Sequence, residues 1–203
     1  MTLRRLALAG VAVVGAAALW WRKNPSACPY SQRFWVEAPH PFITRDRLGE
    51  ILEPRPGERL LEVGPGTGYY ALPMARALAP DGRLDVLDVQ EEMLDHTLAR
   101  AREQRIANIE PTRADATAMP YEDASFDGAY LVTVLGEIPD QEAALRELRR
   151  VVKPGGRIVV GELFGDPHMV THGALVERAD AAGLRLDRKL GGRLWHFTRL
   201  SPA

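Results

Sequence analysis

The chain has 203 residues, of which 46% are hydrophobic and 26% are charged, and its formal net charge is −1. This composition is typical of one globular domain with a short extension, and it leaves no room for a second domain or a large lid. The balanced charge excludes the basic face expected of a nucleic-acid-binding protein. A single cysteine, Cys28, excludes an internal disulfide and a cysteine-cluster metal site. We therefore expect neither nucleic acid nor metal as a partner.

The N-terminus carries an apolar run. Residues 6–21 contain no charged, hydroxyl or amide side chain and are flanked by basic pairs. As a helix the run spans about 24 Å, short of the ~30 Å hydrocarbon core of a bilayer, and Trp20 and Trp21 would lie at the interface. We interpret residues 1–23 as a hydrophobic membrane anchor. A signal peptide is the alternative, because the small residues at 16–18 fit a cleavage site.

A linker rich in proline and aromatic residues follows, over residues 24–41. Its aromatic side chains either pack the first helix on the sheet or cover a binding pocket, and the sequence leaves both interpretations open. A helical pattern begins near Thr44 and runs to Leu52. We assign residues 42–203 to one domain.

A glycine-rich turn after the first predicted strand is the most informative motif. Residues 60–63 predict a buried strand, and Gly64, Gly66 and Gly68 then lead into a helix over residues 71–78. Glycine accepts a positive φ and lets a ligand approach the backbone closely. In an open α/β sheet, such a turn is where a nucleotide-like cofactor binds.

The spacing of the turn separates two cofactor classes. The dinucleotide fingerprint G-x-G-x-x-G would place its third glycine at Tyr69, whereas this chain has Gly68. Glu62, at the strand end, would repel a pyrophosphate and would suit a ligand that carries a cationic amine. S-adenosylmethionine, a nucleoside joined to an amino acid, fits this pattern and NAD fits it poorly. A nicotinamide-dependent oxidoreductase is kept as the alternative enzyme class.

Two further carboxylates follow predicted strands. Residues 84–89 predict a strand that ends near Asp88, at the distance from the turn where a carboxylate accepts hydrogen bonds from ribose hydroxyls. Asp88 could also cap the helix that begins at Glu91. Asp115 follows a short strand over residues 109–113, and we interpret it as holding an adenine amino group, with a turn cap as the alternative.

The second half of the chain continues the alternation of strands and helices. Residues 125–132 lead into a fourth strand, and an apolar stripe from Ala144 to Val152 predicts a helix. The motif at residues 153–156, Lys-Pro-Gly-Gly, stops this helix, and a fifth strand follows over residues 157–163.

Together these motifs resemble the class I S-adenosylmethionine-dependent methyltransferases, in order from about Pro39 to Leu200. Within that family the chain is similar to the small quinone- and lipid-modifying type. The resemblance implies an α/β fold, a Rossmann-like doubly wound seven-stranded sheet with strand order 3-2-1-4-5-7-6, here preceded by an N-terminal hydrophobic helix. It also implies a set of cofactor-binding residues: Glu62, Gly64, Pro65, Gly66, Thr67, Gly68, Asp88, Val89, Asp115, Ala116 and Thr133.

The resemblance leaves the catalytic base open between a few side chains. Glu137 lies in the loop that faces the transferred methyl group in this family, where many relatives carry a histidine. His168 follows the fifth strand, near the pocket mouth by family topology. We take Glu137 and His168 as the catalytic candidates.

These observations predict a transfer of methyl from S-adenosylmethionine to a small apolar or membrane-associated acceptor, such as a lipid headgroup, a quinone, or a small thiol or amine. Since the cofactor is cytosolic, an uncleaved anchor at residues 6–21 is favoured over an exported form, with the catalytic domain in the cytoplasm. The alternatives are the oxidoreductase and a membrane-tethered scaffold that binds the cofactor without turnover.

Overall fold

Strands and helices alternate along the chain in the computed structural model, which describes residues 25–34 and 40–203. The strands are β1 (Arg59–Val63), β2 (Arg83–Asp88), β3 (Ile109–Arg113), β4 (Phe126–Val132), β5 (Val152–Leu163), β6 (Leu184–Gly191) and β7 (Trp195–Pro202). The helices are α1 (Arg45–Leu52), α2 (Ala71–Leu78), α3 (Glu91–Glu103), α4 (Gln141–Val151) and α5 (His172–Ala181), and short 3-10 turns cover Tyr30–Gln32 and Leu135–Glu137.

The strands form one seven-stranded sheet in the order β3-β2-β1-β4-β5-β7-β6, which confirms the predicted fold class and strand order. The first five strands are parallel, and β7 runs antiparallel to both β5 and β6. The predicted N-terminal hydrophobic helix lies outside the described residues. Within the described ranges, no helix is both long and apolar enough to cross a membrane.

Local sequence explains where the helices begin. The Thr44 hydroxyl accepts a hydrogen bond from the Arg47 amide at 3.3 Å, and the Asp140 carboxylate accepts one from the Ala143 amide at 2.9 Å. Threonine and aspartate are preferred at such N-caps because they satisfy amides that have no partner within the helix. The apolar stripe of α4 then packs on the sheet through Leu145 and its neighbours.

Helices cover both faces of the central parallel strands, so β1 and β4 are buried along nearly their whole length, whereas the edge strand β3 is largely exposed or half-buried. One core cluster lies under α4 and α5 and includes Leu131 and Val160. The other lies under α1, α2 and α3 and includes Leu60 and Val159. The sheet order reverses between β1 and β4, and that point is where a crevice opens at the carboxyl ends of the strands.

The region of the Lys-Pro-Gly-Gly motif differs from its prediction in one respect. β5 begins at Val152, before the motif, because Val152 pairs with Phe126 ahead of a register shift in the β4–β5 ladder. Lys153 donates from Nζ to the Asp127 carboxylate at 2.6 Å, and Asp127 also accepts the Arg59 amide at 2.8 Å. The motif is therefore structural.

A buried arginine ties the sheet to the segment that precedes β1. Arg157 is 7% exposed, and its guanidinium donates to the carboxylate of Glu58 at 2.9 Å and to the carbonyl oxygens of Leu52, Glu53 and Asp127. Removing one partner of a buried pair leaves the other desolvated and uncompensated.

Arg157→Met should therefore lower the free energy of unfolding by about 3–5 kcal/mol, as measured by urea denaturation. The matched control is Arg188→Met, because Arg188 forms an exposed pair with Glu50 at 2.7 Å. Its loss should cost no more than about 1 kcal/mol. Equal effects of the two substitutions would contradict the structural role of Arg157.

Candidate active site

A cavity of about 280 Å³ lies at the carboxyl ends of β1, β2 and β4. Eight of the predicted site residues line it: Gly64, Gly66, Asp88, Val89, Asp115, Ala116, Thr133 and Glu137. Its remaining lining includes apolar side chains of Met93, Val134, Ile138 and Pro139. Residues 25–28 of the predicted linker also line it, so at least this part of the linker covers the pocket.

The glycine turn adopts the left-handed conformation at all three glycines, with φ of +69° at Gly64, +54° at Gly66 and +80° at Gly68. A Cβ at Gly64 would lie 2.5 Å from Cγ2 of Val134, so the close approach of β4 to the turn also requires glycine there. From α3, the Thr97 hydroxyl donates to the Gly66 carbonyl at 3.0 Å. The turn is therefore fixed by its neighbours.

Glu62 lies beneath the turn and is paired with a buried tyrosine. Glu62 and Tyr130 are register partners in β1 and β4, and the Tyr130 hydroxyl donates to the Glu62 carboxylate at 2.8 Å. The pKa of Glu62 is raised to about 8: burial is the main cause, the Tyr130 hydrogen bond opposes it, and the nearby charge of Asp88 adds to it. Glu62 is thus poised to ionise when a cation approaches.

Asp88 is the last residue of β2, Asp115 follows β3, and both line the cavity. Asp88 Oδ1 accepts the Gln90 amide at 2.9 Å, and burial raises the pKa of Asp88. The N-cap of α3 is Gln90 rather than Asp88. Asp115 Oδ1 accepts from both the amide and the hydroxyl of Thr117, at 2.8 and 2.7 Å, so it closes a turn and lines the cavity at once.

The segment over residues 25–34 is fastened across the cavity by its backbone. The Cys28 amide donates to Glu137 Oε2 at 3.2 Å, and the Cys28 carbonyl accepts from Gln90 Nε2 at 2.9 Å. Further along, the Tyr30 hydroxyl lies 3.1 Å from Nδ1 of His96. We call residues 25–34 the strap.

Glu137 sits in the 3-10 turn after β4 with its carboxyl group largely buried. Its pKa is raised to about 8: burial is the main cause, the hydrogen bond from the Cys28 amide opposes it, and the charges of Asp166 and Asp88 add to it. A carboxyl with this pKa, at the wall of an apolar cavity, is suited to act as a general base near neutral pH.

His168 is 8% exposed and lines a neighbouring cleft rather than the cofactor cavity. Its amide donates to Asp166 Oδ1 at 2.7 Å. The cleft has a volume of about 240 Å³ and shares Pro25 with the cavity. His168 is thus close to the site, but the two candidate bases open onto different spaces.

Four of the predicted cofactor-binding residues do not line the cavity. Glu62 is buried beneath it, and Pro65, Thr67 and Gly68 form the far side of the turn. The Thr67 hydroxyl is buried and has no hydrogen-bond partner in the described part of the chain. The amide of Gly68 donates to the Pro65 carbonyl at 2.9 Å, which closes the turn.

The electrostatics of the site fit a cationic cofactor. The carboxyl groups of Glu62, Asp88, Glu137, Asp166 and Glu162 each have a raised pKa, with burial as the largest cause in every case. Within residues 25–34 and 40–203, no lysine or arginine forms an ion pair with any of them. A pyrophosphate would add like charge here, whereas an amine and a sulfonium would relieve the repulsion. The same ranges hold no cluster of histidine, cysteine and carboxylate side chains fit for a metal ion.

Sequence reasoning missed several residues that complete the site. Cys28 and Gln90 fasten the strap, Tyr130 holds Glu62, and Asp166 acts on Glu137 by its charge. No local pattern singles out these residues, because each acquires its role from a partner distant in sequence.

A known protein family shares the sequence of this domain. The profile of the ubiE/COQ5 methyltransferase family matches residues 40–172, and the chain belongs to that family. This confirms the predicted class, that of S-adenosylmethionine-dependent methyltransferases, and argues against the nicotinamide-dependent alternative. A demethylmenaquinone methyltransferase of Staphylococcus aureus is 32% identical over 117 residues, which cover 58% of this chain and 48% of that protein.

Other relatives share parts of the chain or its fold. An uncharacterised 37.1 kDa protein in transposon TN4556 of Streptomyces fradiae is 39% identical over 113 residues, covering 56% of this chain and 32% of that protein. The chain thus spans half or less of the length of these curated relatives. A SAM-dependent methyltransferase from Aquifex aeolicus superposes with a TM-score of 0.80 at 18% identity, covering 87% of this chain and all of that one. The [4+2]-cyclase SpnF superposes with a TM-score of 0.65 at 28% identity, covering 72% of this chain and 57% of that one.

Asp88→Ala should weaken the binding of S-adenosylmethionine by about 1–3 kcal/mol, because a buried carboxylate would no longer accept the ribose hydroxyls. Calorimetric titration measures this affinity, and melting of the same sample measures stability. Asp81→Ala, at an exposed turn position, is the matched control. Unchanged affinity with lowered stability would mean that Asp88 only stabilises the fold, through its hydrogen bond with the Gln90 amide.

Proposed function

We propose that this protein transfers the methyl group of S-adenosylmethionine to a small apolar acceptor with an ionisable ring hydroxyl, of the quinol type. The observation that carries the proposal is Glu137, a half-buried carboxyl group whose pKa is raised to about 8 and which lines an otherwise largely apolar wall. The family membership and the demethylmenaquinone methyltransferase relative support the same acceptor class.

In this proposal, different residues bind different parts of the cofactor. Asp88 would accept the ribose hydroxyls, Asp115 would hold the adenine amino group, and Glu62 would face the amine across the turn. Gly64 and Gly66 would let the backbone approach the cofactor. The bound cofactor supplies an electrophilic methyl group on a positively charged sulfur, which leaves as a neutral thioether.

Glu137 would remove the proton from the acceptor hydroxyl. Ionisation of the hydroxyl makes the ring carbon beside it a stronger nucleophile. As that carbon attacks, the C–CH3 bond forms and the S–CH3 bond breaks. The hydrogen on that carbon then leaves to solvent as a proton, and Glu137 returns its own proton to the ring oxygen. Val134, Ile138 and the strap would exclude water from the approach, so that the acceptor lies in line with the sulfur–methyl bond.

We also propose the domain organisation and location that the sequence suggests. Residues 1–23 would anchor the protein in a membrane, residues 24–41 would link the anchor to the catalytic domain, and residues 42–203 would lie in the cytoplasm. The support for this is the uncharged run at residues 6–21 between basic pairs, together with the cytosolic source of the cofactor.

Methyl-labelled S-adenosylmethionine, incubated with reduced demethylmenaquinone as the probe, should give a labelled product, and Glu137→Gln should lower kcat by about 10²–10⁴-fold. The Gln side chain keeps an oxygen to accept the Cys28 amide, so the strap should stay in place and cofactor affinity should not change. Glu142→Gln, at an exposed site in the first turn of α4, is the control.

The pH profile distinguishes a base from a structural carboxyl in the same experiment. A base is active when ionised, so kcat/KM should rise roughly tenfold per pH unit below the Glu137 pKa of about 8 and level off above it. Glu137→Gln should lack this rise. An unchanged profile in the variant would remove Glu137 from the mechanism, and no label transfer to any quinol, thiol, amine or lipid would refute the proposed activity.

Full-length protein should sediment with membranes and resist carbonate extraction if residues 6–21 form an anchor. A chain that begins near Asn24 should stay in the supernatant, since it lacks the apolar run. Both forms should bind S-adenosylmethionine alike, because the binding motifs begin at Glu62. An exported form that starts near Leu19 would refute the anchor.

A further inference from the structure

Three exposed apolar side chains lie at the carboxyl edge of the sheet, outside the cofactor cavity. Phe42, Phe164 and Leu194 are 44%, 68% and 56% exposed. Phe164 directly follows β5 and Leu194 directly precedes β7, and the antiparallel β5–β7 ladder ends with Leu163 beside Trp195. A single exposed apolar residue needs no explanation, but several together mark a contact surface. We call Phe42, Phe164 and Leu194 the edge patch.

Specific contacts hold the edge patch together as one surface. The Phe164 amide donates to the Leu194 carbonyl at 2.6 Å. The Arg47 guanidinium donates to the Phe42 carbonyl at 2.6 Å and lies over the Trp195 ring at 4.4 Å from its centroid. Because Trp195 follows Leu194 in the chain, Arg47 joins the Phe42 segment to the other two.

The charges around the edge patch are mainly cationic. The segments that carry it hold Arg45, Arg47 and Arg193, and Asp46 is the one exposed carboxylate in residues 40–47, 163–168 and 191–195. Arg45 also lies over an aromatic ring, 4.0 Å from the centroid of Tyr69. Arg45 and Arg193 are exposed and Arg47 is half-buried, so their cations are accessible at this surface even where they lie over aromatic rings. Aromatic side chains together with arginines fit a membrane interface, and the cations favour anionic headgroups.

The loop that carries Phe164 lies close to the turn that carries Glu137. A Cβ at Gly136 would overlap the carbonyl of His168, so the loop after β5 packs directly against this turn. Pro25, the first described residue, lines the cofactor cavity. Pro25 also lines a cleft together with Pro167 and His168 of the loop after β5, and the apolar run at residues 6–21 precedes Pro25 in the sequence.

We propose that the edge patch docks the protein on an anionic lipid surface, with Phe42, Phe164 and Leu194 among the acyl chains and the arginines at the headgroups. In this orientation the carboxyl edge of the sheet faces the lipid, and an apolar acceptor enters the cavity without crossing water. The purpose of the docking rests on the proposed function, but the docking itself does not.

Site-specific fluorescence on the full-length chain tests the orientation. Cys28 is the only cysteine, so Cys28→Ser permits single labelling sites through Phe164→Cys, Leu194→Cys and, as the matched control, Leu186→Cys. Leu186 is 41% exposed and lies on β6, away from the edge patch. On vesicles of phosphatidylcholine with phosphatidylglycerol, an environment-sensitive label at positions 164 and 194 should shift to the blue and become protected from iodide, whereas the label at 186 should do neither.

The comparison between positions decides the outcome, because residues 6–21 could bring every variant to a vesicle. Equal quenching at positions 164, 194 and 186 on vesicle-bound protein would overturn the proposal. So would protection without vesicles that grows with protein concentration, since a second copy of the chain would then cover the patch. Equal protection on vesicles of phosphatidylcholine alone would overturn the role of the arginines. Protection at 164 and 194 without any methylation of reduced demethylmenaquinone would support the docking and count against the proposed function alone.

Discussion

The hydrogen bond from Tyr130 to Glu62 joins β1 and β4, the strands between which the order of the sheet reverses. The crossovers on either side of this point leave the carboxyl ends of the two strands uncovered, and the cavity opens there. Both side chains are at most 2% exposed, so water cannot compensate a charge on Glu62. The hydroxyl of Tyr130 supplies one partner, and a cation of the ligand can supply the other. In the proposed function, the position of the cofactor amine would therefore depend on this pair.

Carboxyl groups in and near the cavity influence one another through their charges. Asp88 raises the pKa of Glu62, Asp88 and Asp166 raise that of Glu137, and Glu137 and Asp166 raise that of Glu162. Such groups cannot all ionise together in a buried site, so the ligand-free site holds protons at neutral pH. A cationic cofactor favours their ionised forms, and its binding should release protons. An anionic dinucleotide would instead disfavour the ionised forms of these carboxyl groups.

The elements of the fold that could be predicted are those with a clear local sequence pattern. Residues 60–63 are apolar and followed by glycines, which fixes β1 and its turn, whereas β6 is exposed over most of its length and carries alternate charges. An exposed edge strand has no buried face to leave a periodic signal, so β6 came only from the family resemblance. β7 is largely buried between β5 and β6, but its polar residues at 196, 198 and 199 hide the apolar pattern of a buried strand, and it too came only from the resemblance. Asp88 and Asp115 were predictable because they end strands. Tyr130 was not, because its role depends on its register with Glu62.

The strap links closure of the site to the state of the candidate base. Its Cys28 amide reaches Glu137 across 109 positions of sequence, a contact that no local pattern could show. A hydrogen bond to the ionised form of a carboxyl lowers its pKa, so the strap opposes the effect of burial on Glu137. With the strap in place, residues 25–28 cover the cavity while the Cys28 amide partly stabilises the Glu137 carboxylate. An acceptor that displaces the strap would break the hydrogen bond between the Cys28 amide and Glu137. The hydroxyl of the acceptor would then be the group that Glu137 binds.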